Sequence, residues 1–530
     1  MLAARILAPF VFLTAIVVWS AAPASAQVTA FKQAVAEAAA QDEDIAAFYR
    51  DTKYQSLWTG PTDAEQRRRA ALMQTLSRVA DHGLPPQRYD AAGLMEAMKN
   101  ASTARARGTL EVQLSQTFLR YARDVQTGML IPQQVDRAIK RQVPYRDRTS
   151  LLVNFEQAAP TAFLRSLPPA SREYTALMKE KMRLEALLAQ GGWGAQINAK
   201  SLKPGQSGAA VLQMRNRLIA QGFMARTHAG AYDAAMEAAV RAFQAAHGLE
   251  VDGVAGAGTI AEMNVGVQKR LQSVVVAMER ERWVNQEKGD RHILVNIPDF
   301  TAKVVDHGKV TFQTRSVVGA RKDDRPTPEF SDVMEFMVIN PSWYVPRSII
   351  VKEYLPALRR NPGAVRHLQI TDSRGRVVSR NRSFAGYTNR NFPYAMRQPP
   401  GRSNALGLVK FMFPNRYNIY LHDTPAKNLF GREVRAYSHG CVRLADPFDF
   451  AYTLLGAQEA DPKDYFQSVL RTGRETRVNL ETPVPVHLIY RTAFTTVKGQ
   501  LEFRRDIYGR DAKVWSALSA AGVALRGAAG

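Results

Sequence analysis

The chain of 530 residues contains one cysteine, Cys441, inside the hexapeptide Ser438-His439-Gly440-Cys441-Val442-Arg443. His439 lies two positions before it, and a second histidine, His422, closes the apolar run Ile419-Tyr420-Leu421. A thiol with two imidazoles close by in sequence has the parts for nucleophilic acyl transfer: a soft nucleophile and a base to take its proton. Gly440 permits a tight turn before the sulfur, and consecutive backbone N–H groups at such a turn can point at a developing oxyanion. Arg443 adds positive charge that favours a thiolate or binds a substrate carboxylate. The residues by themselves leave open which histidine is the base. A metal site would have three potential ligands here but none of the short ligand pairs typical of zinc, so no metal or organic cofactor is expected. The bland alternative is a buried, inert cysteine, the most frequent fate of the residue type.

The elements that must position these groups are strands. Ile293, Val295 and Ile297 alternate with Leu294 and Asn296, and further β-like runs cover Val333 to Ile339, Val409 to Phe413 and Ile419 to Leu421. The last two, joined through Pro414-Asn415-Arg416, form an expected hairpin that delivers His422 at a strand end, a rigid mount for a catalytic side chain. Between Pro346 and Gly407 lies a segment rich in Arg, Asn, Pro and Gly, readable as a lid over the site or as a surface excursion. The tail adds strand material at His487 to Tyr490 and Leu501 to Phe503, then an amphipathic stretch with Val514, Trp515, Leu518 and Leu525.

Upstream the chain is helical. Leu110, Leu114, Phe118, Tyr121 and Val125 recur at helical spacing, as do Tyr174, Leu177, Leu184 and Leu188. From Leu202 to Met263 two helices, a glycine-shaped turn and a third short helix are expected, and a helical link follows over about 265 to 288. His247 has no second ligand at zinc spacing and reads as a helix C-terminal histidine.

Length and charge bound the partners. A chain this long needs three or four cores. With 71 Lys+Arg against 48 Asp+Glu, a formal +23, it calls for an anionic partner: nucleic acid, a membrane surface or an acidic polymer. Arg5, the apolar stretch Ile6 to Trp19 and the small residues Ala24-Ser25-Ala26 predict a cleaved export signal with the mature chain starting at Gln27. Export argues against nucleic acid, and no later segment is apolar enough to anchor the chain in a bilayer.

Residues 202–263 resemble the peptidoglycan-binding domain that accompanies many cell-wall enzymes, through Val240, Phe243, Gln244, Gly248, Leu249, Asp252, Gly253 and Thr259. His422, fifteen intervening residues and then Ser438-His439-Gly440-Cys441-Val442-Arg443 resemble the signature of the YkuD-type L,D-transpeptidases. Asn340-Pro341-Ser342-Trp343, Asn404-Ala405-Leu406-Gly407 and Tyr420-Leu421-His422-Asp423-Thr424-Pro425 resemble stretches of that family's large multidomain members.

The resemblance implies an α+β multidomain fold: a mainly-β catalytic domain with a capping insertion, preceded by a helical scaffold and a small three-helix binding domain. The expected divisions are signal 1–26, scaffold 27–200, peptidoglycan-binding domain 201–266, catalytic domain 267–470 with a capping insertion at about 346–407, and 471–530 packing on catalytic and scaffold domains. It also implies Cys441 as nucleophile, His422 as proton donor and acceptor, His439 shaping the site, and Gly440 in the oxyanion hole. Ser438, Arg443, Trp343 and Tyr420 would face the substrate. The implied reaction is 3→3 cross-linking of peptidoglycan stem peptides in the periplasm through a thioester. Water or an outer-membrane protein as acceptor, and a non-catalytic wall-binding protein, are the alternatives.

Overall fold

The structure, a computed structural model, describes residues 29–322, 325–496 and 498–527. The expected export signal lies outside the described residues. The fold is mixed helix and sheet, with apolar side chains gathered in four separate cores.

The first core is helical. Its central helix, Ala104–Thr127, is opened by Thr103, whose side chain accepts from Ala106 N, and ends at Gly128. Leu110, Leu114, Phe118, Tyr121 and Val125 are all buried along it, at the spacing that keeps them on one face. Gly108 lets it approach the helix Ala30–Ala39: a Cβ there would lie 2.6 Å from Phe31 O. The segment expected as a helical link is the helix Val267–Trp283, and it is no exposed connector. Leu271, Val274, Val275 and Met278 pack into the scaffold core, joined there by Val514 and Leu518 from the tail helix Arg510–Ala520.

The charged end of this junction helix, Glu279-Arg280-Glu281-Arg282, is buried as completely as its apolar part. Each charge finds a partner, remote in the chain for Arg280 and Glu281 and within the helix for Arg282 and Glu279. Arg280 bridges Glu329 and Asp511, both at 2.7 Å; Arg282 meets Glu279 at 2.9 Å, and Glu281 meets Arg491 at 2.5 Å. Scaffold, catalytic sheet and tail are thereby tied at one point.

The peptidoglycan-binding-like unit keeps its own core around Met214, Val240, Phe243 and Met263. Gln244 holds the following turn, donating to Asp252 Oδ1 at 2.8 Å and accepting from Gly253 N at 2.9 Å. His247 is buried, stacked on Phe243 with ring centroids 3.8 Å apart, its Nδ1 at 2.8 Å from Phe243 O. That is a core histidine.

The third core lies in a nine-stranded sheet. In chain order the strands of all the sheets are β1 (Arg291–Asn296), β2 (Thr301–Asp306), β3 (Lys309–Gly319), β4 (Phe330–Ile339), β5 (Trp343–Tyr344), β6 (Gln369–Thr371), β7 (Ala395–Gln398), β8 (Val409–Met412), β9 (Leu421–His422), β10 (Ala436–Ser438), β11 (Val442–Leu444), β12 (Thr476–Ile489), β13 (Ala493–Thr495) and β14 (Leu501–Phe503), the last two pairing with each other. The order is β10-β3-β11-β9-β8-β4-β12-β1-β2, and β2 also pairs with β3, so the sheet closes on itself. The strand after Thr476 is much longer than the short run expected from His487. It carries Pro483 and Pro485, and its register with β4 shifts between Asn479 and Val484, where the ladder loosens.

β7 and β6 of the insertion form a separate small sheet with β5, which immediately precedes it. With the helical run Arg347–Arg360 it builds the fourth core from Ile350, Leu358, Phe384, Phe392 and Met396. The insertion is thus a folded cap, not a loose excursion.

Candidate active site

β9 is a two-residue strand in the middle of the closed sheet. It pairs antiparallel with β8, Lys410 facing His422, and parallel with β11, where His422 faces Arg443 and Leu421 faces Val442. The hairpin turn between β8 and β9 is braced by Asn415, whose side chain contacts Phe413 O, Ile419 N and Ile419 O. The sequence thereby carries His422 and Cys441 on neighbouring parallel segments, with Cys441 one residue before β11 begins. A cleft of about 540 Å³ opens above these strand ends, lined by His422, Ser438, His439, Cys441, Arg443, Trp343 and Tyr420. Every expected side chain of the site reaches it.

His422 is buried, and its Nδ1–H donates to Asp423 O at 2.5 Å. This fixes the ring and leaves Nε2 as the proton acceptor. Burial, with Arg443 nearby, drives its pKa down to about 3, so the imidazole is neutral at physiological pH. Asp423 itself is held by Lys427 at 2.7 Å and accepts from Leu408 N and Thr424 N.

Cys441 is half-buried, and its thiol lies 3.4 Å from Asn418 O. Desolvation pushes the thiol up to about 11, against hydrogen bonds from the Tyr420 backbone and hydroxyl and the charge of Arg443, all of which favour thiolate. The resting pair is therefore thiol and neutral imidazole. Arg443 has no carboxylate partner among the described residues, and its Nε is buried without a hydrogen bond. Its proximity to Cys441 raises its pKa against a larger lowering by burial.

The nucleophile loop is shaped by Ser438, whose hydroxyl donates to Cys441 O at 2.5 Å and accepts from Gly440 N at 3.1 Å. Gly440 sits at φ +119°, a left-handed conformation that L side chains rarely adopt, and its carbonyl accepts from Thr327 Oγ1 at 2.8 Å. The Gly440 amide, expected to serve an oxyanion, is directed at Ser438 Oγ because the turn folds back on its own first residue. Ser438, expected to face the substrate, lines the cleft while its hydroxyl braces the loop.

His439 points outward, and its Nε2–H donates to Glu353 Oε1 at 2.6 Å; the same carboxylate oxygen accepts from Arg325 Nη2 at 2.7 Å. Glu353 lies in the short π-helical stretch Ile350–Tyr354 of the insertion. The cap is therefore pinned to the nucleophile loop by a charged latch. The sequence reading missed Glu353, Arg325 and Asn418; only an acid among apolar neighbours in Ile349-Ile350-Val351-Lys352-Glu353-Tyr354 hinted at the first.

Parts of the chain resemble known proteins. Residues 290–486 match the family model described as the L,D-transpeptidase catalytic domain, YkuD. Residues 207–263 match the "Putative peptidoglycan binding domain" and residues 43–180 a scaffold domain. A curated protein of Haemophilus influenzae, named "Putative L,D-transpeptidase", is 34% identical over 225 residues, which is 42% of this chain and 45% of that protein. The chain thus spans a little under half the length of this relative. Among solved structures, an L,D-transpeptidase from Xylanimonas cellulosilytica aligns at 14% identity with TM-score 0.16, covering 55% of this chain and 98% of that one. A fused Zn-dependent amidase/peptidase/peptidoglycan-binding protein from Clostridium acetobutylicum aligns at 13% identity with TM-score 0.15, covering 55% and 99%. Those two likenesses are too loose to bear on the site. Residues 290–486 match the L,D-transpeptidase catalytic-domain model, and the curated relative bears a name of the same kind.

Proposed function

We propose that the chain is a cysteine L,D-transpeptidase of the cell wall, forming 3→3 cross-links between peptidoglycan stems. The observation that carries this reading is the pairing of β9 with β11, which brings a neutral, oriented His422 and the thiol of Cys441 to one cleft. Cys441 Sγ attacks the carbonyl carbon of the third residue of a tetrapeptide stem, and its proton passes to His422 Nε2. The imidazolium then gives that proton to the nitrogen of the departing D-Ala as the C–N bond breaks, leaving a thioester. A side-chain amine of a neighbouring stem next loses a proton to His422, attacks the thioester carbon, and expels the thiol reprotonated.

Charge on the tetrahedral oxygen needs donors. The Cys441 amide and the Tyr420 hydroxyl, already hydrogen-bonded toward the sulfur, are the groups at hand. The Gly440 amide joins them if its bond to Ser438 opens on acylation. Arg443, without a carboxylate of its own, suits a stem carboxylate. Residues 207–263 and the positive charge of the chain would hold the polymer nearby, in the periplasm if the expected signal is used. No helix among the described residues is long and apolar enough to cross a membrane.

Incubation of peptidoglycan with wild type and Cys441→Ala, followed by mass analysis of muropeptides, tests the reading. Cys441-dependent 3→3 dimers are expected. Tripeptides without dimers would make the enzyme an L,D-carboxypeptidase, and a stem-linked protein would move the acceptor to an outer-membrane protein. Identical products from both proteins would leave a wall-binding protein.

A further inference from the structure

The active-site cleft does not end at Cys441. Tyr417, in the turn between β8 and β9, lines it on one side and on the other lines a second cleft of about 620 Å³. This second cleft lies where the scaffold meets the sheet. The segment carrying Ile139 runs as a parallel bridge beside Glu329, with Lys140 N donating to Glu329 O at 2.8 Å and Glu329 N to Ala138 O at 3.0 Å. Scaffold residues are therefore held against the catalytic domain by backbone hydrogen bonds, a rigid placement.

The chemistry of this cleft is cationic around an apolar floor. Lys140 Nζ lies 5.9 Å and the Arg416 guanidinium 5.2 Å from the Tyr417 ring centroid. Neither has a carboxylate within ion-pair reach among the described residues, and Asp332 is the one acidic residue of the lining. Arg141 is buried, yet its guanidinium donates to neutral partners, Ser331 Oγ at 2.6 Å and Leu488 O. Val333, 42% exposed, leaves alkyl surface beside these cations. A buried guanidinium without a directly bonded carboxylate, next to two further cations and exposed alkyl and aromatic surface, fits a ligand with a carboxylate on an aliphatic or peptide body.

Resting on the transpeptidase reading, we infer that this junction cleft is a subsite for a carboxylate of a peptidoglycan stem peptide whose reacting end lies at Cys441, and that the scaffold supplies part of it through Lys140 and Arg141. The stem passes over Tyr417. The neighbouring residue, Asn418, holds the thiol through its carbonyl, so occupancy of the cleft also bears on the nucleophile's setting. The stem could be the donor or the acceptor; the carboxylate chemistry is the same for both.

The test uses the full chain, soluble disaccharide-tetrapeptide fragments, and the same fragments with their free carboxylates amidated. Lys140→Glu should slow dimer formation about five- to tenfold, Lys140→Arg should restore it, and the deficit should shrink near 1 M salt, where the screening length falls to about 3 Å. Amidation should cost the wild type a similar factor and cost Lys140→Glu little more. Slower appearance of the Cys441 thioester by intact mass assigns the cleft to the donor. Normal acylation with slower resolution assigns it to the acceptor. Binding of the fragment to Cys441→Ala is measured in parallel, so the cleft is judged even if no transfer is seen and the enzyme reading fails. There the dissociation constant should rise about tenfold when Lys140→Glu is added. Equal binding and equal rates in both backgrounds, or equal losses with free and amidated fragments, overturn the proposal.

Discussion

At the junction helix, Arg280, Arg282 and Arg491 each meet a carboxylate at 2.5–2.9 Å, whereas Arg443, Cys441 and His422 in the cleft meet none. Both regions remove ionisable groups from water. At the junction every guanidinium has its counter-charge, and the side chains of Glu279 and Arg282 are 0% and 1% exposed. In the cleft no carboxylate offsets the same desolvation, which outweighs the hydrogen bonds that oppose it and shows in the thiol raised to about 11 and the imidazole lowered to about 3. Paired burial fixes geometry; unpaired burial keeps groups in the protonation states that acyl transfer needs. The contrast assigns stability to one region and chemistry to the other.

Substitutions should therefore separate the two. Cys441→Ala or His422→Ala is expected to lower dimer formation about 10³-fold or more with the melting temperature within a degree or two, because neither carries a counter-charge whose loss strands a partner. Arg280→Ala should do the reverse. It leaves Asp511 buried without its guanidinium and Glu329 with Arg510 alone, a loss of about 3–5 kcal/mol in denaturant unfolding, with the rate per folded molecule within twofold. A cysteine variant that melts far below wild type, or an Arg280 variant that melts normally, would break the comparison.

The pH dependence sharpens it. With the thiol raised to about 11, alkylation of Cys441 by iodoacetamide should climb steadily from pH 7 to 10, with no plateau near 8.5 where an ordinary thiol levels off. His422 gives the opposite limb. Its folded pKa lies below that of the unfolded chain, so its contribution to stability is full above about 6.5 and is lost as pH falls toward 3. His487, buried beside Lys288 and Arg141 and lowered to about 4, acts in the same direction. Melting temperature should thus fall between pH 7 and 5, and less steeply in His487→Gln. A plateau in alkylation at pH 8.5 would remove the claim that desolvation governs the sulfur.

The sequence made the nucleophile legible because its chemistry is contiguous: one thiol, a glycine and an arginine in six residues, with His422 at the end of an apolar run. It made the junction illegible. Glu279-Arg280-Glu281-Arg282 reads as a solvated helix face, since the partners that permit burial, Glu329, Arg491 and Asp511, lie far along the chain. The strand Thr476–Ile489 was hidden by Pro483 and Pro485, which deny two ladder donors, Pro483 within the register shift and Pro485 just past it opposite Val333. The Gly440 amide could not be assigned without seeing that Ser438 Oγ turns back to accept from it. Local chemistry is written in short motifs; the partners of buried charge are set by topology.

Glu353 stands between the two regions in kind, a paired carboxylate inside the cleft. It accepts from His439 at 2.6 Å and Arg325 at 2.7 Å and is about a third exposed, so water and salt screen it as they do not screen Glu329. Exposed pairs are worth about 0.2–1 kcal/mol. Glu353→Gln keeps the shape and removes the charge, so the melting temperature should stay put while the cap loosens from the nucleophile loop. Acylation by a tetrapeptide fragment should then slow about two- to fivefold, with the difference shrinking at high salt. Alkylation by iodoacetamide, which needs access and not alignment, should hold steady or rise. Opposite signs from the same substitution would mark Glu353 as a latch that orders the cap over Cys441. Equal slowing of both reactions would instead place its effect on the sulfur itself, and no change in either would leave the contact without consequence for the reaction.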